Sequence, residues 1–213
     1  LTPSFSWTAY LRDVDAPAAL QAVNVQQPKF FQAMNKQLNS VPLADWKVYL
    51  RWQLLSSAAP ALSSKFVDES FDFNQRILQG TEKNLPRWKR CVRSTDTQVG
   101  FALAKVYVAE NFPPEAKARA DKMIRDLISA LRDDLATLSW MGNETRKAAL
   151  AKLEAFNPKI GYPDKWRDYS ALEIDRGPYV LNVLKGTRFE WARDMAKVGK
   201  PVDRTDWGFT PPT

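Results

Sequence analysis

The 213-residue chain contains no histidine. Without an imidazole, its side chains cannot form a Ser-His-Asp or Cys-His catalytic arrangement, a His-Glu-x-x-His metal motif or a histidine general base. Glycine is also sparse, and the eight glycines form neither GxxxxGK[ST] nor GxGxxG, the loops that cradle phosphate groups. These absences exclude most hydrolase and phosphate-binding mechanisms for the residues of this chain alone.

Cysteine is nearly absent, since Cys91 is the only one. A single cysteine allows neither a disulfide within the chain nor a metal cluster built from several thiolates. Arg90 and Arg93 lie beside it and could activate its thiol as a nucleophile. Because no base or resolving cysteine accompanies it, we expect Cys91 to be a small, half-buried structural residue.

Long apolar runs are missing as well. No stretch of about 18 apolar residues occurs, so we expect no membrane span in this segment. The first ten residues, LTPSFSWTAY, contain neither an initiator methionine nor the basic-then-apolar pattern of a signal peptide. We therefore expect the chain to begin within a protein or after processing, and its composition leaves the compartment open.

Two carboxylate pairs remain as candidates for acid–base chemistry, Asp13 with Asp15 and Asp133 with Asp134. Neighbours one or two positions apart on a helix or turn point in different directions. Nothing around these residues predicts the burial on which catalytic carboxylates depend. We interpret them as structural acids.

The formal net charge of +7 is compatible with an anionic partner such as nucleic acid or a lipid surface. The charges alternate in sign, however, and Glu115 with Arg119 and Asp121 with Arg125 have the i,i+4 spacing of a solvated helix face. This distribution favours a solvated surface over a polyanion site.

The densest basic cluster surrounds one tryptophan and comprises Arg87, Trp88, Lys89, Arg90 and Arg93. Such a cluster could hold phosphate and stack a base, or it could simply begin an amphipathic helix. We expect Trp88 to pack inward and predict no nucleic-acid site. A stand-alone basic helical module that binds an anionic partner remains the alternative function.

Helical spacing recurs along the chain, whereas alternation typical of strands is rare, so the fold class is predicted to be mainly α. Pro113 and Pro114 indicate the start of the longest helix, and one apolar stripe runs along it at steps of three and four. That stripe is interpreted as core; it comprises Ala116, Ala120, Met123, Ile124, Leu127, Ile128, Leu131, Leu135 and Leu138.

A second, short helix is predicted after the longest one. Asn143 is its predicted N-cap, and it ends where Pro158 disfavours helical geometry at Asn157. The two helices are expected to form a hairpin with Trp140 as a buried anchor between them.

The secondary structure of the remaining segments is predicted clearly for some and left open for others. Residues 43–59 and 100–112 are apolar nearly all round and are expected to be buried central helices. Residues 66–78 are compatible with either helix or loop, and 11–28 with a link containing a strand or two. A last helix is expected from Tyr179 to about Val198, followed by an extended tail through 199–213.

The segment LSWMGNETRKAALAKLEAFNPKIGYP, residues 138–163, resembles the neprilysin-like (M13) zinc endopeptidases. The matching residues are Trp140, Met141, Thr145, Arg146, Ala149, Lys152, Leu153, Ile160, Gly161, Tyr162 and Pro163. LPRWKRC, residues 85–91, is similar to the Arg-Trp-x-x-Cys turn of that family. The resemblance extends over nearly the whole chain and is strongest from Leu85 to Pro163.

The resemblance implies a multi-helix domain that encloses the substrate cavity of a zinc metalloendopeptidase acting on small peptides. Residues 1–165 would be this helical domain, incomplete at its N-terminus, and 166–213 a linker and the start of the catalytic domain. Zinc would be held in the intact enzyme by His-Glu-x-x-His and a later Glu beyond this chain. No catalytic, cofactor-binding or metal-binding residue is therefore assigned here, and this chain alone should bind no zinc.

The same resemblance implies that the main partner is the catalytic C-terminal part of the same polypeptide, and that the enzyme is periplasmic or secreted. The residue equivalent to Cys91 is disulfide-bonded in animal relatives, and its partner would lie upstream of Leu1. A domain that faces a catalytic partner should expose a large apolar patch. We expect that patch to involve the tail from Trp166 onward.

Overall fold

The computed structural model describes residues 1–18, 20 and 22–211. Over these residues the chain is helical and contains no strand, so the mainly α fold class is confirmed. The helices are α1 (Trp7–Asp13), α2 (Pro28–Ser40), α3 (Leu43–Ala58), α4 (Ser64–Phe71), α5 (Arg87–Asn111), α6 (Pro114–Thr137), α7 (Asn143–Glu154) and α8 (Tyr179–Met195). A 3₁₀ turn (Ala59–Ala61) follows α3, and a π-helical segment (Asp72–Ile77) follows α4.

The chain forms two compact units. Unit 1 comprises Leu1–Lys89 and Ser170–Val202, and unit 2 comprises Arg90–Tyr169 and the chain from Asp203 onward. The predicted domain boundary between residues 165 and 166 rests on the resemblance and stays a prediction.

Unit 1 is held together at its N-terminus by polar contacts. Ser6 caps α1 by accepting a hydrogen bond from the backbone N–H of Ala9 at 3.3 Å. The backbone N–H of Ser4 donates to Asn35 Oδ1 at 2.9 Å, which ties the chain before α1 to α2. At the other end of α1, Trp191 Nε1 on α8 donates to the carbonyl oxygen of Val14 at 2.8 Å. Segments distant in sequence thus hold α1 at both ends.

Two open or incorrect predictions are resolved in unit 1. Among the described residues of 11–28 there is no strand, because α1 continues to Asp13 and an irregular chain leads from there to α2. The predicted strand was wrong since this segment has no neighbouring strand with which to pair. Residues 66–78 are helical, first as α4 and then as the π-helical segment.

Unit 2 is centred on the predicted hairpin of α6 and α7. Helix α6 begins at Pro114 with Pro113 as its N-cap, as expected. The N-cap of α7 is Gly142 rather than Asn143, and no side chain provides the capping bond. Asn143 instead accepts a hydrogen bond from Arg146 Nη1 at 3.4 Å, because it lies one position inside the helix.

Arg146 closes the connection between α6 and α7. Its Nε donates to the carbonyl oxygen of Leu135 at 3.1 Å, and its Nη2 donates to those of Leu138 at 2.6 Å and Met141 at 3.1 Å. These carbonyls lie at and beyond the C-terminal end of α6, where a helix leaves its acceptors unsatisfied. Trp140 is 75% exposed, so the predicted buried anchor was wrong. The connection is held by a guanidinium group rather than by an aromatic ring.

The Gly-Tyr-Pro segment is stabilised by Lys117 of α6. Lys117 Nζ donates to the carbonyl oxygen of Tyr162 and to Asp164 Oδ1, each at 2.7 Å, and lies 4.3 Å from the centroid of the Tyr162 ring. Gly161 has φ +71°, and a Cβ there would lie 2.8 Å from Phe112 Cε1. Glycine is therefore required at position 161 both for the positive φ and for the close approach of the Phe112 ring.

Candidate functional surface

Helix α3 carries the densest set of exposed apolar side chains in unit 1. Its residues at 43, 48–50, 52, 54 and 55 are apolar and point all round the helix, because successive residues are rotated by about 100°. We call this set the α3 surface; it comprises Leu43, Val48, Tyr49, Leu50, Trp52, Leu54 and Leu55, which are 47–69% exposed. The prediction that α3 is a buried central helix was therefore wrong.

The α3 surface is exposed because little of the described chain packs on it. Its main neighbour is the 3₁₀ turn that continues α3 in sequence. The aromatic side chains contact one another: Tyr49 lies edge-on to Trp46 at 5.8 Å between centroids and 6.4 Å from Trp52. Gln53 Nε2 donates to Tyr49 Oη at 2.8 Å. These contacts order the rings without covering them.

A second apolar surface lies in unit 2, where the α6 stripe was predicted to be core. Met123, Leu127 and Leu131 are exposed. With the chain after α7 they border an open groove of about 550 Å³, lined by Ile124, Leu127, Ile128, Leu131, Ala155, Phe156, Asn157, Pro158 and Ile160. Unit 2 covers the α6 stripe only in part, because α7 packs along the end of α6 nearest the connecting turn.

The accessible surface gives the scale of this incomplete packing. The described chain exposes 16753 Å², whereas a folded monomer of 24.3 kDa typically exposes about 10,000 Å². Helix α5 shows the same pattern locally, since Phe101, Ala104 and Val108 are buried while Val106 and Tyr107 are exposed. The chain is apolar enough for a larger core than it forms.

The tail was predicted to carry the exposed apolar patch, and the structure supports this only in part. Val202 and Phe209 are exposed. Trp207, in contrast, is buried with 9% of its surface exposed, and Trp166 is half-buried and stacked on Tyr162 at 6.0 Å between centroids. The extended tail is confirmed through residue 211, and the rest of that prediction lies outside the described residues.

The residues with possible nucleophilic or anion-binding chemistry are more exposed than expected. Cys91 is exposed rather than half-buried. Trp88 is 65% exposed, and the ammonium of Lys89 lies 5.4 Å from the centroid of its ring. Both side chains lie near the start of α5 and are exposed to solvent, so the expectations for Trp88 and Cys91 were wrong.

The candidate carboxylates lie at the surface. Asp13 pairs with Arg12 at 2.9 Å and Asp15 with Arg188 at 3.8 Å, and both carboxylates are mostly exposed. Asp133 and Asp134 are exposed on α6. On the same helix Asp121 pairs with Arg125 at the predicted i,i+4 spacing, which supports the interpretation of a solvated face.

Two other carboxylates have lowered pKa values, and both close local loops. A hydrogen bond from Lys185 and one from the backbone N–H of Gly177, each 2.7 Å long, lower the pKa of Asp175. Hydrogen bonds from the hydroxyl and the backbone N–H of Thr205, 2.7 and 2.8 Å long, lower the pKa of Asp203. Both carboxyl groups are held in the ionised form, which suits loop closure and not proton donation.

The donor set does not fit zinc. The sequence contains no histidine, and the described residues contain no group of three or more Cys, Asp or Glu side chains that could hold a metal ion. A tetrahedral zinc site needs such a group. None of the helices in the described part of the chain is long and apolar enough to cross a membrane.

Comparisons with known proteins identify the family of this chain. Residues 1–163 match the family model described as peptidase family M13. The endothelin-converting enzyme homolog of Locusta migratoria is 32% identical over 91% of this chain, and human endothelin-converting enzyme 1 is 29% identical over all of it. The chain spans 28% and 29% of the lengths of these two relatives.

Solved structures show the same fold. The Mycobacterium tuberculosis zinc metalloprotease Zmp1 in its open state is 40% identical and superimposes on 99% of this chain with a TM-score of 0.88. Its complex with an inhibitor is 39% identical over 97% of the chain, with a TM-score of 0.84. The chain covers 33% and 31% of those two structures. By its sequence match and its helical fold, this chain belongs to peptidase family M13.

Proposed function

We propose that this chain is the non-catalytic helical portion of a zinc metalloendopeptidase. The polypeptide outside it would supply the zinc ligands and the groups that hydrolyse the peptide bond. Membership of peptidase family M13 supports the peptidase activity of the intact protein. The absence of histidine supports placing the metal in another part of that protein.

The α3 surface is the observation that carries this proposal. Fully burying one large apolar side chain contributes about 1.5–3 kcal/mol. Covering the seven half-exposed residues of the α3 surface would therefore contribute on the order of 5–10 kcal/mol, comparable to the total stability of a domain. We propose that the rest of the same polypeptide covers this surface, because the chain spans only about 30% of the length of its relatives.

Within the intact enzyme, this portion would enclose a cavity that receives peptide substrates. The resemblance to neprilysin-like peptidases supports this role, as does the concentration of apolar side chains on helix faces that the chain itself leaves open. An enclosed cavity would limit substrates to peptides small enough to enter it. A periplasmic or secreted location remains part of the proposal and follows from the resemblance alone.

The test compares the full-length gene product with segment 1–213. We expect the full-length protein to contain zinc at one ion per active site, to cleave quenched fluorescent peptides, and to lose cleavage when a chelator removes the metal. A length series should show good cleavage of short peptides and none of folded proteins. Segment 1–213 alone should neither contain zinc nor cleave peptides. A full-length protein without zinc or peptide hydrolysis would contradict the proposal.

The alternative function, a basic module for an anionic partner, makes a different prediction. The exposure of Trp88 removes one argument against it. A site that neutralises several phosphates must lose affinity steeply as the salt concentration rises. We expect the full-length protein to bind DNA no better than the non-specific range of about 10⁻⁴ to 10⁻⁶ M at physiological salt.

A further inference from the structure

Helix α5 departs from helical geometry at one residue inside unit 2. Val99 has φ −137° and ψ 34°, whereas the helix continues on both sides to give the span Arg87–Asn111. The sequence of α5 contains no proline, so the usual proline explanation for a kink does not apply. The residue after Val99 is Gly100, which is buried.

Gly100 lets the tail contact the helix at this point. A Cβ on Gly100 would lie 2.5 Å from Thr210 Cγ2 and 2.8 Å from Asp96 Oδ1, distances that real side chains do not reach. The hydroxyl of Thr210 donates a hydrogen bond to Asp96 Oδ1 at 2.9 Å. The tail methyl group therefore occupies the place of the missing side chain, directly beside the kink.

The same tail is attached to unit 2 at two further places. Asn157 Nδ2 donates to the carbonyl oxygen of Arg204 at 2.5 Å, and Lys159 Nζ donates to that of Asp206. Trp207 is buried, although Gly208 and Phe209 directly after it are exposed. The tail contains no helix or strand here, so these side-chain contacts determine its path.

We propose that residues 203–210 form a strap that fixes the α5 kink and the direction in which the chain leaves unit 2. Asp96, Gly100, Trp207 and Thr210 are then positioning residues for the part of the peptidase that follows the strap. This role rests on the proposed function, since it is the peptidase activity that the strap would serve. The fixation of the kink stands independently of any activity.

Three variants of the full-length protein test the strap. Thr210→Val keeps the shape of the side chain and removes the hydrogen bond to Asp96. Gly100→Ala places a methyl group against Thr210 Cγ2. The double variant Gly100→Ala/Thr210→Ser removes that Cγ2 and keeps the hydroxyl, so it relieves the clash with the tail methyl group and leaves the contact with Asp96 Oδ1.

Two controls separate the strap from other causes. Thr205→Val removes a hydroxyl whose hydrogen bond stays within the tail, at 2.7 Å from Asp203 Oδ1. Thr97→Val removes the other local cause of bending in α5, the hydrogen bond from Thr97 Oγ1 to the carbonyl oxygen of Arg93 at 2.9 Å.

Hydrogen exchange of the amides at 97–104 is the primary measurement. We expect Thr210→Val and Gly100→Ala to accelerate exchange on the order of tenfold, as the loss of a hydrogen bond to a charged acceptor implies. Limited chymotrypsin digestion should cleave after Trp207 correspondingly faster. The double variant should recover part of the protection that Gly100→Ala loses, and Thr205→Val should leave protection unchanged. Unchanged exchange in Thr210→Val, or a larger effect of Thr97→Val, would overturn the strap.

Peptide hydrolysis is the second measurement and tests the positioning role. We expect kcat to fall with the loss of protection across the variants while KM changes less than twofold, because the strap acts on the arrangement of the enzyme and does not touch substrate. Accelerated exchange with an unchanged kcat would overturn the positioning role. If the unmodified protein hydrolyses no peptide, the proposed function fails, and the exchange data still decide whether the strap fixes the kink.

Discussion

Helix α3 and the hairpin of α6 and α7 are equally well predicted as helices, yet they differ in how they are stabilised. The hairpin contains its own stabilising contacts, because Arg146 satisfies carbonyl groups in the connection and Lys117 holds the following Gly-Tyr-Pro segment. A larger fraction of the side chains of helix α3 is apolar, and most of its large apolar side chains are exposed. Apolar character on every side of a helix therefore indicates a partner, and that partner need not lie in the same stretch of sequence.

The largest expected effect comes from Trp52 on the α3 surface. In segment 1–213, Trp52→Ala should reduce the free energy of unfolding by less than about 1 kcal/mol, the range for exposed positions. In the full-length protein it should cost about 3–5 kcal/mol, because the ring would be buried there. Lys47→Ala, an exposed residue of the same helix, is the matched control in both forms. Urea denaturation measures each free energy of unfolding. If Trp52→Ala costs the same in the two forms, α3 does not depend on the rest of the polypeptide and does not differ from the hairpin in this respect.

Arg146 tests whether the hairpin is self-contained. Arg146→Met removes donors to the carbonyl oxygens of Leu135, Leu138 and Met141. We expect a loss of about 3 kcal/mol, since partly buried carbonyls would lose charged donors. Lys147→Met, one position along α7 and exposed, should change stability by less than about 0.5 kcal/mol. The loss should be the same in segment and full-length protein; a loss seen only in the latter would show that the hairpin also depends on outside contacts.

Gly161 tests the turn that follows the hairpin. Gly161→Ala should cost about 1–3 kcal/mol, because φ is +71° and the new methyl group would press on Phe112. Gly142→Ala is the matched control, since its φ is −66° and nothing lies within 4 Å of a Cβ there. We expect that change to cost less than about 1 kcal/mol, because alanine is a poorer N-cap than glycine but meets no steric obstacle here. Thermal unfolding of both variants measures the difference, and similar melting temperatures would exclude the proposed strain.

The smallest effect concerns Asp175 and its loop before α8. Lys185→Met should raise the pKa of Asp175 toward its ordinary value, because the hydrogen bond from Lys185 is the largest cause of the lowered pKa. A carboxyl with a lowered folded-state pKa stabilises the fold above its unfolded pKa of about 3.8, and this stability disappears as the pH falls through the folded-state value. An NMR titration of the carboxyl carbon measures the shift. An unchanged midpoint in Lys185→Met would show that Gly177 dominates.

Local rules predicted the helices well. Pro113 and Pro114 marked the start of α6, and the apolar periodicity gave α3 nearly to the residue. Helix α8 begins at Tyr179 as predicted and ends at Met195, whereas α5 was predicted only over 100–112 and begins at Arg87. Arg146 and Gly161 belong to the family motif, but only the structure shows what the Arg146 side chain and the Gly161 backbone do.

Burial was predicted poorly because it depends on contacts distant in sequence. Trp140 and Trp88 looked like core residues from their neighbours, yet both are exposed. Trp207 lies in a polar, glycine-containing tail and is nevertheless buried. Sequence composition alone does not distinguish an apolar cluster that is buried from one that is exposed, because the segment that covers a cluster can be distant in sequence. The strap itself has one signal in the sequence, a glycine in the middle of an otherwise unbroken helix.

The α3 surface is proposed to be covered by the rest of the polypeptide. Hydroxyl-radical footprinting of Tyr49, Trp52 and Leu54, read by mass spectrometry in segment 1–213 and in the full-length protein, measures whether this surface is covered. Exposed Trp88 and Trp140 provide internal references for radical dose. We predict that modification of the three α3 residues falls at least tenfold in the full-length protein relative to the segment. Equal modification in both forms would contradict the claim and leave α3 as a surface open to another partner.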